Sequence, residues 1–439
     1  MNALREIGLG LLGLGNVGSG VVRLLRENAD TIEARLGARV VVRRIAVRDA
    51  GKQRQVDVLP GQLTTDWRSV VDDQSVDVVV ETMGGEDPAR DIVLRAIDRG
   101  CQVVTANKLL LALHGEELFS AARERCVGIH FEAAVCGGVP VIRALREGLA
   151  SDRIEALWGV VNGTSNYILT RMAEERQSFA SALAEAQAAG YAEADPRLDI
   201  DGIDAAHKLA ILATLSFGGR IGPDEIHTEG ISALQPTDFV YADRFGYAVK
   251  PIVMARAHRD GVEARAHPAL VEKGHLLASV GGTNNAICVN SRALGESLYI
   301  GRGAGMMPTA VAVVSDVIEV SRSIIEQAAG ASTTASRGQW PFLAKRPVRE
   351  IGLLHSAYYL RFRVLDQPGV LGQLATILGG QRVSIAQLIQ EGERERGGVA
   401  ATVVALTHTA LEKDVRSALD RIDDLPAVVE KTLMLRIVG

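Results

Sequence analysis

Short apolar runs alternate with amphipathic stretches through the first third of the chain. IGLGLLG (Ile7 to Gly13) predicts a strand leading into a helix near Val17, and VVVRRIAV (Val40 to Val47), VDVVVET (Val76 to Thr82) and CQVVTA (Cys101 to Ala106) predict further strands, with a helix from Pro88 to Arg99. Apolar runs of this length between helical periodicities read as buried strands of right-handed βαβ units, hence a parallel sheet. From about Ser151 the texture changes: helical segments are expected over Tyr167 to Gly190 and Ile203 to Ser216, then strand-like pieces at YAVKPIVMARA and HLLASV. A small-residue apolar helix from about Pro308 needs a surface to cover, and the first domain is the expected one. ASTTASRGQWPFLAKRP (Ala331 to Pro347) is polar and marked by Pro and Gly, so it reads as a linker. After it, YYLRFRVLD, PGVLGQLATILGGQ, VSIAQLIQEG, GGVAATVVALTHT, ALEKDVRSALDRIDDL and VVEKTLMLRIVG follow a βαββαβ order, a ferredoxin-like scaffold common in ligand sensing. The expected architecture is α/β: a parallel-sheet domain over 1–145 completed by a returning helix near 308–328, a mixed α+β domain over 146–330, a linker over 331–350 and the small domain over 351–439.

Composition narrows the class. The 439 residues exceed one ordinary core of about 150. Hydrophobic residues make up 47% of the chain and aromatics only 4%, the profile of an α/β enzyme and not of a fibrous or disordered protein. A net charge of −5 argues against nucleic acid or an anionic membrane as partner. Cys101, Cys126, Cys136 and Cys288 form no CxxC pair, so neither a zinc site nor a disulfide framework is indicated, and a reducing cytoplasm is the expected compartment. The opening MNALREIGLGLLGLGNVG is broken by glycine, carries Glu6 and lacks a basic leader and cleavage site. No apolar run reaches the roughly 18 residues that span a bilayer.

GLGNVG sets Gly13, Gly15 and Gly18 in GxGxxG spacing after a strand and at the start of a helix, with Asn16 and Val17 between. The first glycine permits the tight turn, the second admits a pyrophosphate to the backbone, and the third lets helix and strand close up. The second strand ends AVRDAGKQR. Arg48 there suits a 2′-phosphate and so NADP, while Asp49 beside it leaves NAD use open.

GYAEADPRLDIDGIDAAHKLAIL (Gly190 to Leu212) crowds Glu193, Asp195, Asp199, Asp201 and Asp204 ahead of His207 and Lys208. Such a cluster needs a cation, a solvated loop or a polar ligand. Asp204 and Lys208 stand four apart and share a helix face, either as a surface ion pair or as a proton-handling pair, and LAILATL after Lys208 sets the lysine at the mouth of an apolar helix, where its proton becomes more transferable. Asp201 reads as a helix cap, Asp195 before Pro196 as a turn former, and His207 as packing. No HxxxH or DxD pattern supports a divalent metal.

GLGNVGSG, VVETMGG, VVTANK (Val103 to Lys108), FEAAVCGGVP (Phe131 to Pro140), GVVNGTSNYIL (Gly159 to Leu169), the acidic segment itself and GRGAGMMPTA (Gly301 to Ala310) together resemble homoserine dehydrogenases, in the longer form with a C-terminal ACT domain. The resemblance runs from the first strand to the last. It implies a Rossmann-type domain, a central catalytic and dimerisation domain, and hydride transfer between NAD(P)H and the L-homoserine/L-aspartate 4-semialdehyde pair, in threonine, methionine and isoleucine biosynthesis. It implies Lys208 as acid/base with Asp204 as its partner, Glu193 and Asp199 with Asp204 as substrate acceptors, and Lys108 beside substrate and nicotinamide. Thr105, Gly190, Gly303 and Gly305 would lie against the cofactor. Glu132 with the carbonyls of Val135, Gly137 and Val139 would bind a monovalent cation, sodium in the family. LDQPGVLGQLATIL, which resembles ACT modules, places Asp366, Pro368 and Gly369 at the first strand-to-helix turn; such modules bind amino acids between paired copies, which makes L-threonine an expected effector and a homodimer or homotetramer the expected assembly. Two alternatives remain at this stage: a non-catalytic nucleotide and amino-acid sensor, and a semialdehyde dehydrogenase using Cys136 as nucleophile, for which no histidine is evidently placed as base.

Overall fold

Strand β1 (Arg5–Leu12) is buried from Ile7 onward, and its glycines explain how closely it is packed: a Cβ on Gly8 would stand 1.7 Å from the carbonyl oxygen of Ser75. It opens a computed structural model that describes residues 4–328, 344–392 and 400–438; most of the expected linker, 331–343, lies outside the described residues. After β1 come α1 (Asn16–Glu27), α2 (Ala29–Leu36), β2 (Ala38–Ala46), β3 (Leu63–Thr64), α3 (Trp67–Val71), β4 (Val78–Glu81), α4 (Ala89–Asp98), β5 (Gln102–Thr105), α5 (Lys108–Glu124) and β6 (Ile129–His130). The middle of the chain forms α6 (Val141–Arg143), β7 (Ile154–Val160), α7 (Gly163–Glu175), α8 (Phe179–Ala188), α9 (Arg197–Ile200), α10 (Ile203–Phe217), β8 (His227–Thr228), α11 (Pro236–Arg244), β9 (Tyr247–His258), β10 (Gly261–Glu272), β11 (Asn284–Ser291), β12 (Gly295–Arg302) and α12 (Met306–Ala328). The last part gives β13 (His355–Leu365), α13 (Val370–Gly380), β14 (Ile385–Gly392), β15 (Ala400–Thr407), β16 (Ala410–Leu411), α14 (Glu412–Asp423) and β17 (Val428–Val438). These elements gather into two units: Met1–Leu157 with His207–Glu225 and Asn284–Arg346, and Trp158–Ala206 with Ile226–Thr283 and Pro347–Gly439.

The first unit is built on a sheet in the order β3-β2-β1-β4-β5-β6, every neighbouring pair parallel. Strand order reverses between β1 and β4, and such a switch point opens a crevice at the carboxyl ends of the strands. Helix α12 lies against α1, where Gly20 leaves room for it: a Cβ there would come 2.8 Å from the Ala310 Cβ. Val313, Val317 and Val320 of α12 join Val21, Leu24 and Leu25 of α1 in one core.

In the second unit the strands run β9-β10-β17-β13-β15-β14. The βαββαβ order read from the pattern is present, and its last strand also pairs in parallel with β10, Ala269 to Arg436 through Val271 to Val438. Three local expectations are corrected. Tyr167 to Gly190 is not one helical segment but α7 and α8, because Arg176 turns left-handed (φ 55°) and the Ser178 side chain accepts the Ser181 amide to start a new helix. HLLASV is no strand; Leu276–Ser279 is a 3-10 turn begun by His275, whose ring accepts the Leu277 amide. Asp201 closes α9 instead of capping α10, since Gly202, at φ +82°, makes the sharp turn between the two helices.

Helix α11 is joined to β13 by a buried ion pair. Asp238 accepts Arg361 Nε at 2.7 Å and Tyr359 Oη at 2.8 Å, and both Asp238 and Arg361 are buried. Burial pushes the Asp238 carboxyl up, against the guanidinium that draws it down. Replacing Arg361 by Met strands that carboxylate, at a cost of about 3–5 kcal/mol. Thermal unfolding of Arg361→Met is therefore expected well below wild type at pH 8, with the gap narrowing towards pH 5 as Asp238 takes up a proton and no longer needs a cation.

Candidate active site

In the first unit the glycine turn leaves one face open. Gly13 adopts φ +99° and a Cβ on Gly18 would lie 2.1 Å from its carbonyl oxygen, so helix and strand are as close as the motif requires. A Cβ on Gly15 would meet nothing within 4 Å, and α1 begins there with no side-chain cap and no acid in its first turn. Exposed backbone amides at the start of a twelve-residue helix suit the pyrophosphate of a dinucleotide. Asn16 is exposed and Val17 half-buried beside it. Arg48 is exposed just past β2. Arg54, which the motif does not mark, reaches the Leu14 carbonyl at 3.4 Å, and Gln55 reaches Asn16 at 3.4 Å.

At the carboxyl ends of β4 and β5, Glu81 organises two loops. Its Oε1 accepts the amides of Met83 (2.7 Å) and Gly84 (3.0 Å) and its Oε2 the Thr105 hydroxyl (2.6 Å). Thr105 Oγ1 in turn accepts the Asn107 amide, and Asn107 caps α5 through Leu110. Lys108 is thereby fixed as the first residue of α5, a place where the helix dipole disfavours a cation. Burial pushes the Glu81 carboxyl up, since its donors are neutral groups.

The FEAAVCGGVP segment turns through Cys136 (φ 58°) and Gly137 (φ 51°). It packs on the GRGAG turn: Gly138 donates to the Arg302 carbonyl at 3.0 Å, and a Cβ on Gly137 would sit 2.5 Å from the Gly303 oxygen. Gly303 is itself pressed on Asn285, and Gly305 has φ +118°. Glu132 is buried; its carboxylate accepts the Ile142 and Arg143 amides at 2.9 and 2.8 Å, its amide donates to Asp316 at 2.8 Å, and burial pushes its carboxyl up. Glu132 and the backbone oxygens of Val135, Gly137 and Val139 belong to one loop of reversed backbone and are hard oxygen donors. The Val139 carbonyl already accepts the Val141 amide at 2.8 Å. Cys136 is buried within this turn.

In the second unit Asp199 and Asp204 are brought together by Asn162. Its one amide nitrogen donates to Asp199 Oδ1 at 2.6 Å and to Asp204 Oδ2 at 2.8 Å, while its Oδ1 caps α7 by accepting the Ser165 amide at 2.7 Å. Ser165 Oγ fixes the Asp199 carbonyl at 2.9 Å. Asp204 is buried in the first turn of α10, and Lys208 stands one turn further along it, half-buried. Glu193 lies exposed on the loop after α8, outside this network, with its carbonyl accepting Gln187. Gly190 (φ +75°) ends α8, and Asp195 grips Arg197, a turn contact that holds its carboxyl down at about 2. In the sequence Asn162, within GVVNGTSNYIL, carries only the signal of a helix cap, and the fold alone shows the two carboxylates it contacts.

Three family descriptions match the chain: homoserine dehydrogenase, NAD binding domain, over residues 13–132; homoserine dehydrogenase over 140–318; and ACT domain over 358–427. A homoserine dehydrogenase of Pseudomonas aeruginosa is 42% identical over 441 residues, covering 99% of both chains. The chain belongs to the homoserine dehydrogenase family. Its fold is similar to that of a crystallised homoserine dehydrogenase from Thiobacillus denitrificans, with a TM-score of 0.91 at 43% identity over 100% of both chains. It is also similar to a hyperthermophilic archaeal homoserine dehydrogenase in complex with NADPH, with a TM-score of 0.61 at 27% identity over 72% of this chain and 97% of that one. The chain is thus an NAD(P)-dependent oxidoreductase of the L-homoserine/L-aspartate 4-semialdehyde pair with an ACT domain, and the sensor and cysteine-nucleophile alternatives fall away. Among the described residues no helix is long and apolar enough to cross a membrane.

Because Asn162 keeps two carboxylates apart and in place, Asn162→Ala should lower kcat/KM for L-homoserine by about 10–100-fold, the worth of one or two charge-assisted hydrogen bonds. Steady-state kinetics with the cofactor saturating checks this.

Proposed function

We propose that Lys208 is the proton donor and acceptor of the reaction and that Asp204 keeps it charged and aimed. The observation that carries this reading is the place of a buried Asp204, held by Asn162, one turn before a lysine on the same helix. Bound NAD(P)H supplies the hydride to the aldehyde carbon. As the carbonyl oxygen becomes an alkoxide, the Lys208 ammonium gives it a proton; in the reverse direction the neutral amine takes the hydroxyl proton. Asp199 and Glu193 accept the substrate ammonium, and Lys108 meets its carboxylate, which accounts for a cation at a helix start that would otherwise disfavour one.

The glycine turn, Asn16, Val17, Thr105, Gly190, Gly303 and Gly305 line the cofactor in this reading, and Arg48 favours NADP by meeting a 2′-phosphate. The archaeal relative's complex with NADPH supports that choice. A monovalent cation, sodium in this reading, is held by Glu132 and the carbonyls of Val135, Gly137 and Val139, and steadies the turn on which GRGAG packs. The ACT turn at Asp366, Pro368 and Gly369 is exposed and is the proposed place for L-threonine as inhibitor. Assembly as a homodimer or homotetramer and work in the cytoplasm, as the spread cysteines suggest, complete the proposal.

Lys208→Ala should lower kcat by about 10²–10⁴-fold with the KM for NADPH unchanged, the scale of lost acid/base catalysis, while Cys136→Ala keeps most of its turnover; a loss below threefold for Lys208→Ala rules the role out. Arg48→Ala should raise the KM for NADPH about tenfold and that for NADH less than twofold, since one guanidinium–phosphate contact is removed. Parallel kinetics with both cofactors decide it.

A further inference from the structure

Glu229 follows β8 and connects two parts of the second unit. Its carboxylate receives Arg436 of β17 at two points, Nη1 to Oε2 at 2.8 Å and Nη2 to Oε1 at 2.9 Å, and Arg416 of α14 at 2.9 Å; His227 Nε2 lies 2.8 Å away. Arg436 is wholly buried and its Nε donates to Glu412 of α14 at 2.8 Å, so a guanidinium from the last strand is clamped between two carboxylates. Burial pushes the Glu229 carboxyl up, but Arg436 and His227 outweigh it and hold the group far below the usual carboxylate range.

The backbone of Glu229 faces the acidic turn. Its amide is tied to the Ala266 carbonyl at 2.9 Å, and two residues on, Ile231 donates to the Ile200 carbonyl at 2.9 Å. Gly230 fits so tightly that a Cβ would lie 2.9 Å from the Ile200 oxygen and 3.3 Å from the Asp201 Cα, and a Cβ on Gly202 would meet the Glu229 oxygen at 3.4 Å. Ile200 and Asp201 directly follow Asp199. Glu229 and Asp199 also line one small cavity of about 20 Å³, with Asn162 and Ser165 on its wall.

We infer that Arg436, acting through Glu229, is a positioning residue for Asp199: the ion cluster of the C-terminal domain fixes the Glu229–Ile231 segment, which backs the substrate-binding turn. The inference rests on the reading of Asp199 as a substrate acceptor. It gives the ACT domain a direct mechanical hold on substrate affinity, since a shift of β17 or α14 moves the segment on which Ile200 is hydrogen-bonded.

The test is steady-state kinetics of the full chain. Glu229→Gln should raise the KM for L-homoserine about tenfold and leave kcat and the KM for NADP+ within twofold, because one charge-assisted anchor is lost and the chemistry is not touched. Arg416, the least buried member of the cluster, provides a variant that folds even if a stranded Arg436 does not: Arg416→Gln should raise the same KM about threefold. Arg436→Lys should restore part of the affinity that Arg436→Met loses. A KM for L-homoserine within twofold of wild type in Arg416→Gln and in any foldable Glu229 variant overturns the inference, and so does a fall in kcat with equal rises in both KM values, which marks general loosening. Asp199→Asn separates the two levels. If it raises the KM while the cluster variants do not, the coupling alone is wrong; if it has no effect, the reading of Asp199 falls and the inference with it.

Discussion

Asn162 gives both hydrogens of a single amide to two carboxylates, and the chemistry of the acidic turn depends on that arrangement. Two carboxylates close together repel, and without a cation or a donor between them one takes up a proton or swings away. A neutral amide solves this without cancelling either charge. It adds no charge of its own and ties Asp199 of α9 to Asp204 of α10. A cation placed between them would hold them as well, but it would cancel their negative charge. Asn162 is itself immobilised because its oxygen caps α7, so helix start and acidic turn share one side chain.

The same need for donors shapes the other buried acids, and the solutions differ with what each must do. Glu81 is satisfied by two backbone amides and a hydroxyl, which fixes the loops ending β4 and β5. Asp238 and Glu412 instead hold full guanidinium partners, at the junction of α11 with β13 and of α14 with β17. Neutral donors set loop geometry at moderate strength. Buried ion pairs join whole elements, because removing either partner leaves an uncompensated charge.

What could be read in advance follows how local each signal is. GLGNVG was legible because its three glycines answer to contacts within one strand–turn–helix, and the strands of the first unit were legible as apolar runs bounded by helices. The six-element order of the C-terminal domain was legible too, since each element carries its own period. The break at Arg176 was not, because a single left-handed arginine has no sequence signature comparable to a glycine or proline. HLLASV misled for a related reason: four apolar letters fit a strand or a turn, and here Leu276 ends up exposed. The partnerships of Asn162 and Glu229 were not legible, since the groups they contact lie 37 and 207 positions away.

Strand β10 shows how a polar pattern can mislead about position in the fold. Glu263, Arg265 and His267 alternate with apolar residues, which reads as a half-solvated strand, yet all three are buried. The period of two is correct and the inference of solvent is not, because the polar face is lined with charges of its own: Arg265 is paired with Glu263, and its Nε lies 3.1 Å from His267. His267 is kept neutral, since burial and the neighbouring Arg436 both push its protonation down. β10 also needs a neighbour for its backbone, and β17 supplies one by pairing in parallel with it, Arg436 opposite Ala269. The C-terminal strand is therefore part of what makes the central strand tenable. That dependence builds the C-terminal domain into the same sheet as β10.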